Sequence, residues 1–158
     1  MQKNESFIAR GGLWVLAQVP LMLAALVIPV WSGSGHLVPR DIAQGPGVAI
    51  TVLGIALTIW GLASLGDALS PFPQPLADAT LQRNGAYRFM RHPIYSGVAL
   101  ASLGWALWWL SVGGIFCALL LAFFFDCKAA HEEIWLRQQY KEYPDYEAKV
   151  KKFIPGVY

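Results

Sequence analysis

Three long stretches of this chain, residues 11–39, 42–66 and 92–125, contain no Asp, Glu, Lys or Arg. Crossing the ~30 Å hydrocarbon core of a bilayer takes about 20 apolar residues in a helix. The first two stretches each fit one crossing, near residues 13–31 and 47–65. The third is too long for one, because a single helix rising ~1.5 Å per residue would reach about 50 Å. Ser111, Gly113 and Gly114 lie near its middle and predict a tight turn between two short helices, over 94–110 and 115–125. From Asp126 to Tyr143 the pattern becomes amphipathic, so the last crossing is expected to run on as a helix into water.

The basic residues support the same count. With the N-terminus in the cytosol and a hairpin in the third stretch, every Lys and Arg except Arg40 falls on the cytosolic side. The expectation is an all-α integral membrane bundle in one domain, with four transmembrane helices and both termini cytoplasmic. Residues 1–66 carry two N-terminal spans and 67–93 a cytosolic loop. Residues 94–125 form the C-terminal helical hairpin, and 126–158 a cytosolic helix and tail. The first apolar stretch exceeds the ~7–15 residues of a signal-peptide core and lacks a small-x-small cleavage site, so it is read as a retained span. Gly47, Gly54 and Gly61 recur at seven-residue spacing, as do Gly97 and Gly104, which predicts close helix packing in lipid. The compact size and the inward N-terminus point to a bacterial inner membrane.

Composition agrees. The chain is 56% hydrophobic and 14% charged, with mean hydropathy +0.44, whereas soluble domains carry roughly a quarter charged residues. Such aromatic and aliphatic content excludes disorder. A net charge of +2 without a basic cluster points away from nucleic acid as a partner. Cys117 and Cys127 match neither a disulfide framework nor a zinc spacing, and no metal site is expected.

Polar chemistry concentrates in two places. The loop from Asp67 opens with Pro71, Pro73 and Pro75, which predict an extended path, and closes with the turn signal Asn84-Gly85. Tyr87-Arg88-Phe89-Met90-Arg91-His92-Pro93 follows, and Pro93 suits the first turn of a helix. A helix N-terminus beside Arg88, Arg91 and His92 can hold a carboxylate or phosphate, or the arginines can simply anchor at lipid headgroups. The second place is the helix after the hairpin, with Asp126, His131, Glu132, Glu133 and Arg137. Glu132 and Glu133 point about 100° apart, so one of them at most is expected to face a shared pocket. Glu133 and Arg137 are spaced to pair, and Tyr140, Tyr143 and Tyr146 can be interface residues. Together these segments predict a pocket at the bilayer surface, open to a zwitterionic or anionic ligand from water and a lipophilic one from the membrane.

GAYRFMRHPIYSG, an apolar hairpin, then HEEIWL and YPDYEAKVKKFIP follow one another over residues 81–158. This half of the chain resembles the isoprenylcysteine carboxyl methyltransferase family, a wider group that includes the phospholipid N-methyltransferases. The resemblance implies an integral membrane enzyme that takes a methyl group from S-adenosylmethionine and passes it to a lipophilic, membrane-delivered acceptor. It implies one pocket wall from Arg91, His92, Pro93, Tyr95 and Gly97, and a second from Glu132, Glu133 and Leu136, with Tyr87 and Tyr146 lining it. Gly97 would give a bulky ligand room. If the acceptor is a carboxylate, Arg91 or Lys149 would orient it; if it is an amine or thiol, His92 or Glu132 would serve as base. Lys141 stands where relatives carry glycine, a departure in the tail, and four spans are fewer than eukaryotic isoprenylcysteine enzymes have, a departure that bears on the prenylated-protein substrate. Isoprenylcysteine carboxylate-like O-methylation is the leading expectation, with phospholipid or amine N-methylation or thiol S-methylation as the alternative. Two other classes compete: a nicotinamide-dependent membrane reductase, and a small scaffold whose basic loop binds anionic lipid.

Overall fold

The computed structural model describes residues 6–33, 40–75 and 79–158. Lys3, one of the charges in the topology argument, lies outside them. The described residues form an all-helical bundle: α1 Gly12–Ser32, α2 Arg40–Leu65, α3 Pro93–Trp108, α4 Val112–Gln139 and α5 Tyr143–Lys149. α1, residues 44–65 of α2, and α4 are long and apolar enough to cross a membrane. α3 has 16 residues, about 24 Å of helix, so it falls short of that length by itself. It nevertheless runs back along α4 as the first arm of the expected hairpin.

The turn of that hairpin falls earlier than the glycines predict. Leu110 adopts a left-handed φ of 51°, and Ser111 caps α4 by accepting a hydrogen bond from the Gly114 amide at 2.8 Å. Gly113 and Gly114 therefore belong to the first turn of α4, where a hydroxyl cap favours helix. They serve packing: a Cβ on Gly114 would come within 2.7 Å of the Pro29 ring on α1. The Ser111 and Ser32 hydroxyls, 2.6 Å apart, join the same two helices. Pro20, Pro29 and Pro46 lie inside α1 and α2, positions that membrane helices tolerate when neighbours satisfy the freed backbone groups.

The seven-residue glycine steps interlock α2 with α3 in antiparallel register. A Cβ on Gly54 would lie 2.3 Å from the Ala101 amide nitrogen; one on Gly97 would lie 2.4 Å from Thr58 Oγ1. The pattern repeats at Gly47 against Trp108, Gly104 against Thr51 and Gly61 against Ile94. Thr51 and Thr58 turn their hydroxyls back onto the Gly47 and Gly54 carbonyls, so no polar donor faces lipid there. On the far side α1 lies against α4 through Trp14, which packs on Phe124 and His131. The helices are thus ordered α1, α4, α3, α2, around a core of Ala25, Leu121 and Phe125. Leu16, Leu23, Leu53, Ile59, Phe116 and Phe123 face outward and exposed, the arrangement expected of a lipid-facing surface.

At 28 residues α4 would span about 42 Å, longer than the hydrocarbon core, so its charged second half, from Asp126, extends beyond the apolar part of the bundle. There the chain bends through Pro71–Gln74 instead of running straight. The C-terminal segment returns alongside residues 90–92. Met90 and Lys151 form a parallel bridge, and the Arg91 and His92 amides donate to the Lys151 and Lys152 carbonyls at 2.9 and 3.0 Å.

Candidate active site

Between the end of α2, the 66–75 loop, the start of α3 and the charged half of α4 lies a cavity of about 340 Å³. That volume is within the range of small-ligand sites. Pro93 starts α3 without an unpaired amide, and the first turn then presents His92 and Tyr95 to the cavity. Tyr87, Arg91, Glu132, Leu136 and Tyr146 line it as well. The fold therefore brings together seven of the residues expected from the sequence. Pro93 is buried behind the wall. Gly97 faces α2, Glu133 is buried in an ion-pair hub, and Lys149 is exposed away from the cavity.

The two glutamates divide as their angular separation predicts. Glu132 stands at the cavity, where Tyr95 donates its phenol proton to Oε2 at 2.9 Å. Glu133 accepts from Arg91 Nε at 2.8 Å and meets His92 Nε2 at 3.1 Å, both through Oε1. Burial by itself would raise the Glu133 pKa, but the hydrogen bonds from His92 and Arg91 and the neighbouring charge outweigh it and hold the carboxyl at about 2. Arg91 also donates to the Val150 and Glu147 carbonyls at 2.6 and 3.2 Å. Its guanidinium thus ties α4 to α5 and the tail, and most of its donors are already spent on protein.

Aromatic rings set the remaining shape. The His92, Tyr95 and Phe125 rings form a continuous nearly parallel stack, with centroids 5.5 and 4.8 Å apart. Tyr146 donates to the Tyr87 carbonyl at 2.6 Å, and burial pushes its pKa up to about 12. Burial raises Tyr87 and Tyr143 further still, so these phenols stay protonated as donors. The Tyr143 hydroxyl is buried on the cavity wall with no hydrogen-bond partner among the described residues, an arrangement whose cost a ligand acceptor would remove. Tyr143 and Lys128 were missed as site residues. Lys128 stands one helical turn before Glu132, a spacing that puts both on one face, yet its charge reads equally well as a topology signal.

A second cavity, of about 520 Å³, opens between α3, α4 and the tail. It is almost wholly apolar, with Leu100, Leu103, Leu119 and Ile154 among its walls, and Tyr95 lines both cavities. Asp126 closes its polar edge by pairing with Lys152 at 2.5 Å and accepting from Tyr158 at 3.0 Å. Among the described residues no cluster of His, Cys, Asp or Glu could hold a metal ion.

Fold and site define a helical membrane protein whose polar end carries a tyrosine-rich cavity beside an apolar one. The chain belongs to the phospholipid methyltransferase family, whose model matches residues 43–143, as the motifs led one to expect. It is also similar to two rice proteins named "Probable protein-S-isoprenylcysteine O-methyltransferase", from Oryza sativa subsp. indica and subsp. japonica. Each is 35% identical over 76 residues, covering 47% of this chain and 40% of the rice protein. The match therefore spans well under half the length of those relatives. No solved structure gives a significant match.

Proposed function

We propose that this protein is an S-adenosylmethionine-dependent methyltransferase of the membrane–water boundary. The carrying observation is that Arg91, His92 and Tyr95 of the RHPxYxG motif and Glu132 and Leu136 of EExxL, far apart in sequence, converge on one cavity at the polar end of an apolar bundle. The cavity's chemistry fits the donor: Glu132 suits an ammonium or sulfonium, and the tyrosine faces suit an adenine and a cation. The orphaned Tyr143 hydroxyl suits any acceptor atom of the ligand. When bound, this cofactor supplies an electrophilic methyl on a positively charged sulfur. Glu132 and the ring stack orient it, and the apolar walls exclude water, so positioning supplies much of the rate.

The acceptor favoured is a carboxylate like that of an isoprenylcysteine, methylated on oxygen. Such an acceptor is already ionised and needs no base, which suits a site where the imidazole of His92 is engaged with Glu133. The names of the rice relatives support the same class, and the apolar cavity beyond Tyr95 is sized for the lipophilic part. The polar end faces the cytosol on the charge pattern. A lipid-binding scaffold is less well supported, because Arg91 is committed to Glu133 and backbone carbonyls.

Titration calorimetry of the detergent-purified protein with S-adenosylmethionine and its demethylated product tests the reading, with His92→Ala as control. Saturable binding lost in the variant supports it; folded wild-type protein that binds neither overturns it. Transfer of labelled methyl to prenylcysteine, to phosphatidylethanolamine or to a lipophilic thiol then separates O-, N- and S-methylation.

A further inference from the structure

Lys128 is buried, with 2% of its surface exposed, and lines the polar cavity of about 340 Å³. Its ammonium donates to Gln18 Oε1 at 2.5 Å and to the Pro71 carbonyl at 3.3 Å, and lies 5.2 Å from the centre of the Tyr95 ring. Those partners are neutral. Among the described residues, Arg91, Arg137 and Lys152 each have a carboxylate within 4.0 Å, whereas Lys128 has none. An ammonium has three donors, and a buried charge held only by neutral oxygens is costly without a counter-ion. Arg91, which also lines the cavity, already has Glu133 as its carboxylate partner and spends three of its five donors on Glu133 and two carbonyls. Lys128 and Glu132 stand one turn apart on α4 and both line the cavity, so the site presents a cation and an anion to one ligand.

We propose that Lys128 is the anion-receiving group of this cavity and binds a ligand carboxylate there. The inference rests on the methyltransferase reading above. That carboxylate belongs either to the amino-acid end of the donor or to the acceptor. The amino-acid end is a zwitterion and matches the Lys128–Glu132 pair.

The test compares S-adenosylmethionine with its decarboxylated analogue by calorimetry on the wild-type full chain, then on Lys128→Met and Lys128→Arg. A charge-assisted contact predicts about tenfold to hundredfold tighter binding of the carboxylate-bearing donor. Lys128→Met should bind both equally and Lys128→Arg should restore part of the preference. The wild-type comparison needs no variant and so survives any folding defect. If the wild type binds both donors equally but Lys128→Met raises KM for a prenylcysteine carboxylate with kcat kept, the anion is the acceptor's. Donor binding and acceptor KM both indifferent to the carboxylate and to Lys128→Met overturn the proposal. Folded wild type that binds no donor instead removes the reading on which it rests, and the proposal with it.

Discussion

Glu133→Gln tests the hub that holds the candidate site together. Glu133 is 4% exposed and accepts from Arg91 and His92 through one oxygen, while Arg137 approaches the other at 3.6 Å. Glutamine keeps the size and one acceptor but leaves the buried Arg91 charge without its nearest carboxylate. Hydrogen bonds between charged groups contribute roughly 1.5–3 kcal/mol, and breaking a buried pair costs roughly 3–5 kcal/mol. The retained carbonyl oxygen and Glu147, 3.6 Å from Arg91, soften this to about 2–3 kcal/mol. The carboxyl's pKa agrees: a fall from 4.5 to about 2 corresponds to about 3 kcal/mol. In detergent, thermal unfolding should drop by roughly 4–12 °C, at about 2–4 °C per kcal/mol for a chain of this size. The sign with pH is fixed, because a folded-state pKa below the ordinary value stabilises fully above pH 4.5 and less as pH falls toward 2. The gap between wild type and Glu133→Gln should therefore be full at pH 6 and close progressively below pH 4.5. An unfolding temperature unchanged at pH 6, or a gap that stays constant down to pH 2.5, would refute the assignment.

Gly97→Ala should destabilise the α2–α3 interface by roughly 1–3 kcal/mol, since its Cβ would lie 2.6 Å from the Thr58 amide nitrogen. Unfolding of the variant in detergent measures this, and intact stability would return Gly97 to the pocket wall. Tyr95→Phe removes the hydrogen bond to Glu132 but keeps the ring stack. It should leave stability within about 1 kcal/mol and lower kcat/KM by about tenfold in the methyl-transfer assay. Lys149→Ala, at an exposed position, should change stability by no more than about 0.5 kcal/mol; a large loss of turnover would place its side chain at the acceptor after all.

Much of the fold was legible because lipid imposes a one-dimensional rule: charge-free length sets the crossings. The glycine steps at 47, 54, 61, 97 and 104 also announced a tight interface. What they could not announce was the partner, because a small-residue stripe says that a helix comes close without saying which one. Gly97 illustrates the point. Its place in the motif suggested room for a ligand, while the register of α2 against α3 fills that room with Thr58. The hairpin turn shifted for a similarly local reason: a serine able to cap α4 outcompeted two glycines as the place to break the helix.

At the site, the sequence identified chemistry better than occupation. Arg91 and Lys128 carry the same formal charge, and only the motif residue stood out in the sequence. Yet an arginine with five donors in a rigid fork is well suited to joining several backbone and carboxylate acceptors at once, and Arg91 does so across α4, α5 and the tail. Lysine is a point charge that one or two neutral oxygens cannot neutralise. The fold leaves Lys128 in that condition at the cavity. Arg91 and Lys128 differ by what lies opposite each, and that information belongs to the packing of α1 and the proline loop against α4. Gln18, a lone amide in an otherwise apolar span, is the sequence's trace of that packing, for an amide within an apolar span points to a polar partner, and its partner is Lys128.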